Sequence, residues 1–149
     1  MQKLPLKGFT LLEILLVVAL MGVVAGIGAP LYQSFQERND LSLASQTLVH
    51  TLYQAQVYAR APKGYDSWGV HIATSTITLF SGNSYDTRDT DLDEVTYIGS
   101  QIQVGGTTEH LFTTFTGLPS TAGTTTLSLF ESEVAVVVSA GGVISMTAQ

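Results

Sequence analysis

The chain contains no cysteine. That absence excludes disulfide cross-links, a thiolate nucleophile and thiolate metal ligation. It leaves an extracellular location open, because a domain of this size folds without disulfide staples. Basic residues are also scarce: 6 Lys and Arg stand against 12 Asp and Glu, for a formal net charge of −6 over 149 residues. Lys3 and Lys7 precede the first apolar run, and only Arg38, Arg60, Lys63 and Arg88 are scattered through the rest. After Arg88 there is neither lysine nor arginine. Nucleic-acid affinity depends on such residues neutralising phosphates, so no nucleic-acid partner is expected. The sequence has no Gly-x-Ser-x-Gly elbow, no phosphate-binding loop and no His-x-Glu or His-x3-His spacing. His50, His71 and His110 are dispersed and read as structural histidines. No enzyme is expected from this pattern. A membrane-tethered hydrolase would need a nucleophile and base that no motif supplies.

Charge is also missing from Ile14 to Leu31, an unbroken stretch after Gly8-Phe9-Thr10-Leu11-Leu12-Glu13. About 20 apolar residues make a helix that matches a bilayer core. A carboxylate inside such a stretch costs roughly 2.5–3.5 kcal/mol on insertion scales, so Glu13 needs a partner. No cation lies within the run; the nearest are Lys7 and the amine that a cut after Gly8 would create. Lys3 and Lys7 favour the cytoplasmic side, which puts everything after about Leu31 outside. A secretory signal peptide cut between Ala25 and Ala29 is a competing reading. Glu13 within its apolar core and Pro30 just after the cut weigh against it. A plain anchor accounts for the apolar run and leaves Glu13 without a reason. Gly22 and Gly26 form a small-residue face that lets helices approach. Gly28 and Pro30 extend this punctuation, and a kink is expected between Gly26 and Pro30.

This segment resembles the type IV pilin and pseudopilin family, closely over residues 1–35 and in outline beyond. The resemblance implies that a prepilin peptidase removes a leader, residues 1–8, by cutting after Gly8. It further implies methylation of the new N-terminal amine on Phe9. Glu13 matches the family's assembly glutamate, which pairs with the Phe9 amine of a neighbouring subunit. Pro30 matches its helix-interrupting proline. The implied partners are the peptidase, other pilin or pseudopilin subunits and an inner-membrane assembly platform. The implied location is a single-pass cytoplasmic (inner) membrane precursor with a periplasmic or extracellular C-terminal domain, later assembled in a pilus or pseudopilus.

Beyond Pro30 the pattern turns amphipathic. Leu41, Ala44, Leu48, Leu52, Ala55 and Ala59 recur at helical spacing, and Pro62 disfavours helix at Ala61. A helix from about Phe9 to Arg60 would be roughly 75–80 Å long at 1.5 Å per residue. Its membrane or assembly half covers 9–31 and its amphipathic half 32–61; residues 62–149 form a β-rich domain. Strand-like segments are Trp68 to Ala73, Thr76 to Phe80, Val95 to Ile98, Gln101 to Val104, Leu111 to Phe115, Thr125 to Phe130, Val134 to Ser139 and Val143 to Met146. Thr74-Ser75 and Ala140-Gly141-Gly142 read as hairpin turns. Val134 to Val138 lacks polar alternation and should be a central strand. Thr121 to Thr126 reads as a flexible polar loop. Trp68 with Tyr53, Tyr58 and Tyr65 reads as helix–sheet packing. The fold class is α+β, pilin-like: a long N-terminal helix whose amphipathic half packs on an antiparallel sheet.

Leu48 to Arg60 and the Gly141-Gly142 hairpin are also similar to the GspH/FimT branch of minor pilins. One function in that branch is DNA capture through basic residues near the C-terminus, which this chain lacks. Asp86, Asp89, Asp91, Asp93 and Glu94 form an acidic segment. Asp89, Asp91 and Asp93 alternate like the first ligands of a calcium loop. Glu94 replaces the glycine such a loop needs, and Ser100 replaces its bidentate glutamate, so a solvated acidic loop is the expectation and calcium the weak candidate. No other cofactor is expected. The function these residues point to is a structural subunit, a minor pilin or pseudopilin of a type IV pilus or type II secretion pseudopilus. The alternative is a pilus-tip binding module, either an adhesin or a DNA-uptake receptor.

Overall fold

The computed structural model describes residues 8–61 and 66–148, and excludes the side chains of residues 27–35, 37 and 148. One helix, α1 (Leu11–Arg60), precedes eight strands: β1 (Trp68–Ala73), β2 (Thr76–Ser81), β3 (Asp89–Tyr97), β4 (Gln103–Gly106), β5 (Glu109–Phe112), β6 (Gly123–Leu129), β7 (Ser132–Val138) and β8 (Ile144–Ala148). A 3-10 turn, Tyr85–Thr87, lies between β2 and β3. The chain divides into two compact units, Met1–Gln36 and Glu37–Gln149.

In the first unit, α1 begins with a side-chain cap. The Glu13 N–H donates to Thr10 Oγ1 at 3.2 Å, and the Glu13 and Ile14 N–H groups also reach the Thr10 carbonyl. Thr10 thus satisfies donors that the first helical turn leaves free. The large apolar side chains of the run stand bare, from Phe9 at 81% exposed to Val24 at 66%. Among the described residues no helix is long and apolar enough to cross a membrane. The expected 9–31 span includes residues 27–31, whose side chains lie outside the described set. Pro30 falls within the range of α1, but its side chain, and with it the expected kink, also lies outside that set, as do Lys3, Lys7, Lys63 and Tyr65.

In the second unit all six residues of the expected stripe are buried to 3% exposure or less. They form one core with Trp68, Val70, Ile72, Ile77, Leu79, Phe112, Leu127, Val136, Val138 and Ile144. The helix face that periodicity marks is therefore the face that the strands cover. The core has two roofs where a single sheet was expected. One antiparallel sheet has the order β3-β2-β1-β5 and the other β4-β6-β7-β8. Chain crossings explain the division. Ile102, 1% exposed, fills the core beside a turn closed by its own N–H to Gly99 O at 3.0 Å, between β3 in one sheet and β4 in the other. On the return, the Thr107 N–H bonds Thr124 O of β6 while Thr108 O accepts the Ile72 N–H of β1. Adjacent residues are thus stitched to different sheets.

Two local expectations need correction. The acidic stretch from Asp89 to Glu94 is no loop; it belongs to the nine-residue strand β3 at a sheet edge, where its side chains reach water. Charge on an edge strand is tolerated and discourages edge-to-edge pairing. Most of Thr121 to Thr126 is likewise not loop, since β6 starts at Gly123 and Thr125 is fully buried. The remaining strands sit within a few residues of their expected positions. Leu111 to Phe115 shifts most, to β5 at Glu109–Phe112. The expected central strand is central: β7 pairs with β6 on one side and β8 on the other.

Candidate functional site: a bare apolar helix start and a charged aromatic clasp

Of the residues that the motif marks, Gly8, Phe9 and Glu13 lie together at the start of α1, all exposed. Among the described residues other than its chain neighbours, none lies within 4 Å of the position a Gly8 side chain would take. Glu13 occupies the first turn of α1, where the helix dipole favours a negative charge. Sequence reasoning missed Thr10. Its signal was present, because Thr-x-x-Glu ahead of an apolar run is a helix-start pattern.

Asp89, Asp91 and Asp93 share strand β3 without forming a ligand cage. Asp93 is engaged by Arg88, whose Nε lies 2.8 and 3.1 Å from the two carboxylate oxygens. Asp89 Oδ1 accepts the Asp91 N–H at 3.1 Å. Among the described residues no group of three or more His, Asp or Glu is placed to hold a metal ion.

A second constellation was not anticipated. His71 on β1, Tyr85 in the 3-10 turn and Arg88 just before β3 stack in three layers. The His71 and Tyr85 rings are 3.8 Å apart at 12°, and Arg88 Cζ sits 3.8 Å from the Tyr85 centroid. A near-parallel ring fills one face of Tyr85, so the guanidinium must occupy the other. Arg88 Nη1 also donates to Tyr85 O at 2.7 Å, and the Tyr85 N–H donates to Glu109 Oε1 at 3.2 Å. Edge-on to Tyr85 lies Phe80, 5.7 Å away at 74° and fully buried. Burial lowers the His71 pKa; Glu109 and Asp86 oppose this and Arg88 reinforces it. The hydrogen bond that Arg88 donates to Asp93 holds the Arg88 pKa above its ordinary value.

His110, fully buried on β5, bonds Thr125 Oγ1 through Nε2 at 2.8 Å. Thr125 Oγ1 in turn donates to Thr107 O, so Nε2 must be the donor to Thr125. Nδ1 is then a buried acceptor with no partner among the described residues. Burial lowers the His110 pKa. His50 is exposed on α1. Trp68 packs edge-on against Tyr58 at 4.9 Å, the expected helix–sheet contact. Tyr53 is half exposed and donates to Ile144 O at 3.1 Å.

The chain is thus an α+β protein with a bare apolar helix start, an acid in its first turn, and two antiparallel sheets over the amphipathic part of the same helix. Its similarities lie with fimbrial proteins. It is 43% identical over 44 residues to the fimbrial protein EcpC of Eikenella corrodens, a match covering 30% of this chain and 29% of that protein. Over 50 residues it is 44% identical to the type IV major pilin protein PilA of Myxococcus xanthus (strain DK1622), covering 34% and 22%. Over 36 residues it is 47% identical to the type IV major fimbrial protein FimA of Dichelobacter nodosus, covering 24% and 23%. The chain therefore spans between 22% and 29% of the length of these relatives. No family model matches the chain, and no solved structure matches it. These likenesses to type IV pilins and a fimbrial protein extend over 24% to 34% of the chain.

Proposed function

We propose that the chain is a non-enzymatic structural subunit of a type IV pilus or of a type II secretion pseudopilus, in the manner of a GspH/FimT minor pilin. It is made as a single-pass inner-membrane precursor, with residues 1–8 as leader and 9–31 as the membrane and assembly half of the helix. Residues 32–61 form the amphipathic half, and 62–149 the outer domain. A prepilin peptidase cuts after Gly8, Phe9 is methylated, and an assembly platform moves the apolar helix from lipid into contact with other pilin subunits. Pro30 loosens that helix for packing. Glu13 sets the docking position by pairing with the Phe9 amine of a neighbour.

The observation that carries this reading is the exposed run from Phe9 to Val24 with one acid in its first turn. So many large apolar side chains left bare on one chain mark a surface meant for lipid or other chains. The likeness to EcpC, PilA and FimA favours pilin-type assembly over a plain anchor. A nucleic-acid role has little support: Arg88 is committed to Asp93, and Arg60 Nε is bonded to Thr116 O. The decisive experiment is mass spectrometry of the mature N-terminus from cells that express a prepilin peptidase. The expected product starts at Phe9 and carries one additional methyl group. A product starting beyond Ala25 would remove Glu13 and end the pilin reading.

A further inference from the structure

The three-layer stack lies on the side of sheet β3-β2-β1-β5 away from the helix. Register places it there. Val70 and Ile72 point into the core, so His71 and Gly69, alternating with them on β1, face outward. Phe80 is paired with Gly69, Thr78 and Glu109 with His71. Phe80 on this outer face is nonetheless fully buried. Two features bury it. Gly69 gives its ring room, since a side chain there would come within 2.4 Å of Phe80 Cζ. Tyr85 stands edge-on over it. Residues 82–88 therefore act as a strap across an apolar ring that would otherwise face water.

Besides the Arg88–Asp93 ion pair, three contacts hold the strap. The Gly82 N–H bonds Ser67 O at 2.9 Å, the Tyr85 N–H bonds Glu109, and Tyr85 is clamped between His71 and Arg88. We propose that neutral His71 keeps this strap closed and that protonation of His71 releases it, baring Phe80. A proton on His71 would place an imidazolium on one face of a ring whose other face already carries a guanidinium. It would do so where water is partly excluded, which disfavours charge. The charged groups that act on His71 are Glu109 from β5 and Asp86 and Arg88 from the strap; its β2 neighbour, Thr78, is uncharged. Glu109 already accepts the Tyr85 N–H through Oε1, and the pull of Glu109 and Asp86 on the new cation falls short of the opposition from burial and Arg88, which is the direction in which the His71 pKa moves. Opening the strap relieves the burial and parts the two cations together.

The test is amide hydrogen exchange on the full chain in detergent micelles at pH 7.5 and 5.0, with each rate corrected for intrinsic pH dependence. Protection at the Tyr85 and Thr87 amides is expected to fall at least tenfold more than protection in β7. In His71→Phe, which keeps a ring for stacking but cannot titrate, that selective fall should vanish. Tyr85 protection that holds as pH drops overturns the proposal. So does a fall shared equally with β7, or one that persists in His71→Phe. Should that variant not fold, imidazole titration by NMR in the unaltered chain decides. Phe80 and Tyr85 ring resonances that shift in step with the His71 titration support the strap, and ring resonances that stay fixed through it overturn it.

Discussion

At the residue scale, two buried polar side chains bear more on stability than their composition indicates. Gln56 is 5% exposed, and its amide nitrogen donates to Gly142 O at 2.8 Å and Gly117 O at 3.1 Å. It ties α1 to two loops more than sixty residues downstream. Gly142 has φ +77°, and a side chain there would come within 2.7 Å of Gln56 Nε2, so this glycine serves both the turn and the close approach. Gln56→Leu would strand two buried carbonyls, at roughly 1–3 kcal/mol each. A loss of about 2–6 kcal/mol is expected from denaturant unfolding of the domain. His110 adds a pH dependence. Its folded pKa lies below its unfolded value because burial disfavours the cation, so the unfolded chain binds more protons in the window between the two. The stability that His110 contributes is complete above the unfolded value of about 6.5 and is lost as pH falls through that window. Unfolding midpoints at pH 7.5 and 5.0 should show this loss, and His110→Gln should show a smaller one.

At the element scale, the pairing of Gly69 with Phe80 fixes how tightly β1 and β2 lie together. Gly69→Val would drive a branched side chain into the Phe80 ring and is expected to destabilise by about 1–3 kcal/mol, the range for overpacking. Thermal unfolding with Gly69→Ala as the milder step would check the ordering. Strand β3 makes a different prediction. Asp89, Asp91 and Asp93 are carried on an edge strand with Asp93 held by Arg88, so millimolar calcium should leave the melting temperature unchanged; a rise of several degrees would restore the metal candidate. These elements also show what was readable beforehand. The stripe from Leu41 to Ala59 was legible because a 3.6-residue period in one segment needs no knowledge of its partner. The division into two sheets was not, because pairing β1 with β5 and β4 with β6 depends on contacts across long stretches of chain. Acidic composition disguised β3 as loop, since an edge strand with a solvated side satisfies charges as well as a loop does. The Gly8-Phe9-Thr10-Leu11-Leu12-Glu13 motif is local, so its place at the start of α1 was readable. The clasp was not, because His71 and Arg88 meet only through Tyr85 after two strands have folded back.

At the scale of the whole molecule, the second unit buries its apolar stripe while the first leaves Phe9 to Val24 bare. Bare apolar side chains of this number mark a surface for lipid or other chains, and under the proposed function the question is what Glu13 does there. Two roles are compatible with its place in the first turn of α1: stabilising the helix start through the dipole, worth roughly 0.3–1 kcal/mol, or supplying a countercharge to another subunit. A local role predicts that Thr10→Ala, which removes the cap at Glu13 N–H, and Glu13→Gln, which removes only the charge, impair assembly to similar small degrees. The intersubunit role separates them. Glu13→Gln and Glu13→Leu should both leave leader cleavage and membrane insertion intact while reducing filament incorporation by at least tenfold. Thr10→Ala should assemble nearly as well as the unaltered chain. Quantifying sheared filaments against the processed membrane pool measures both steps in one sample. Normal incorporation of Glu13→Leu would leave Glu13 with its helix-start role alone.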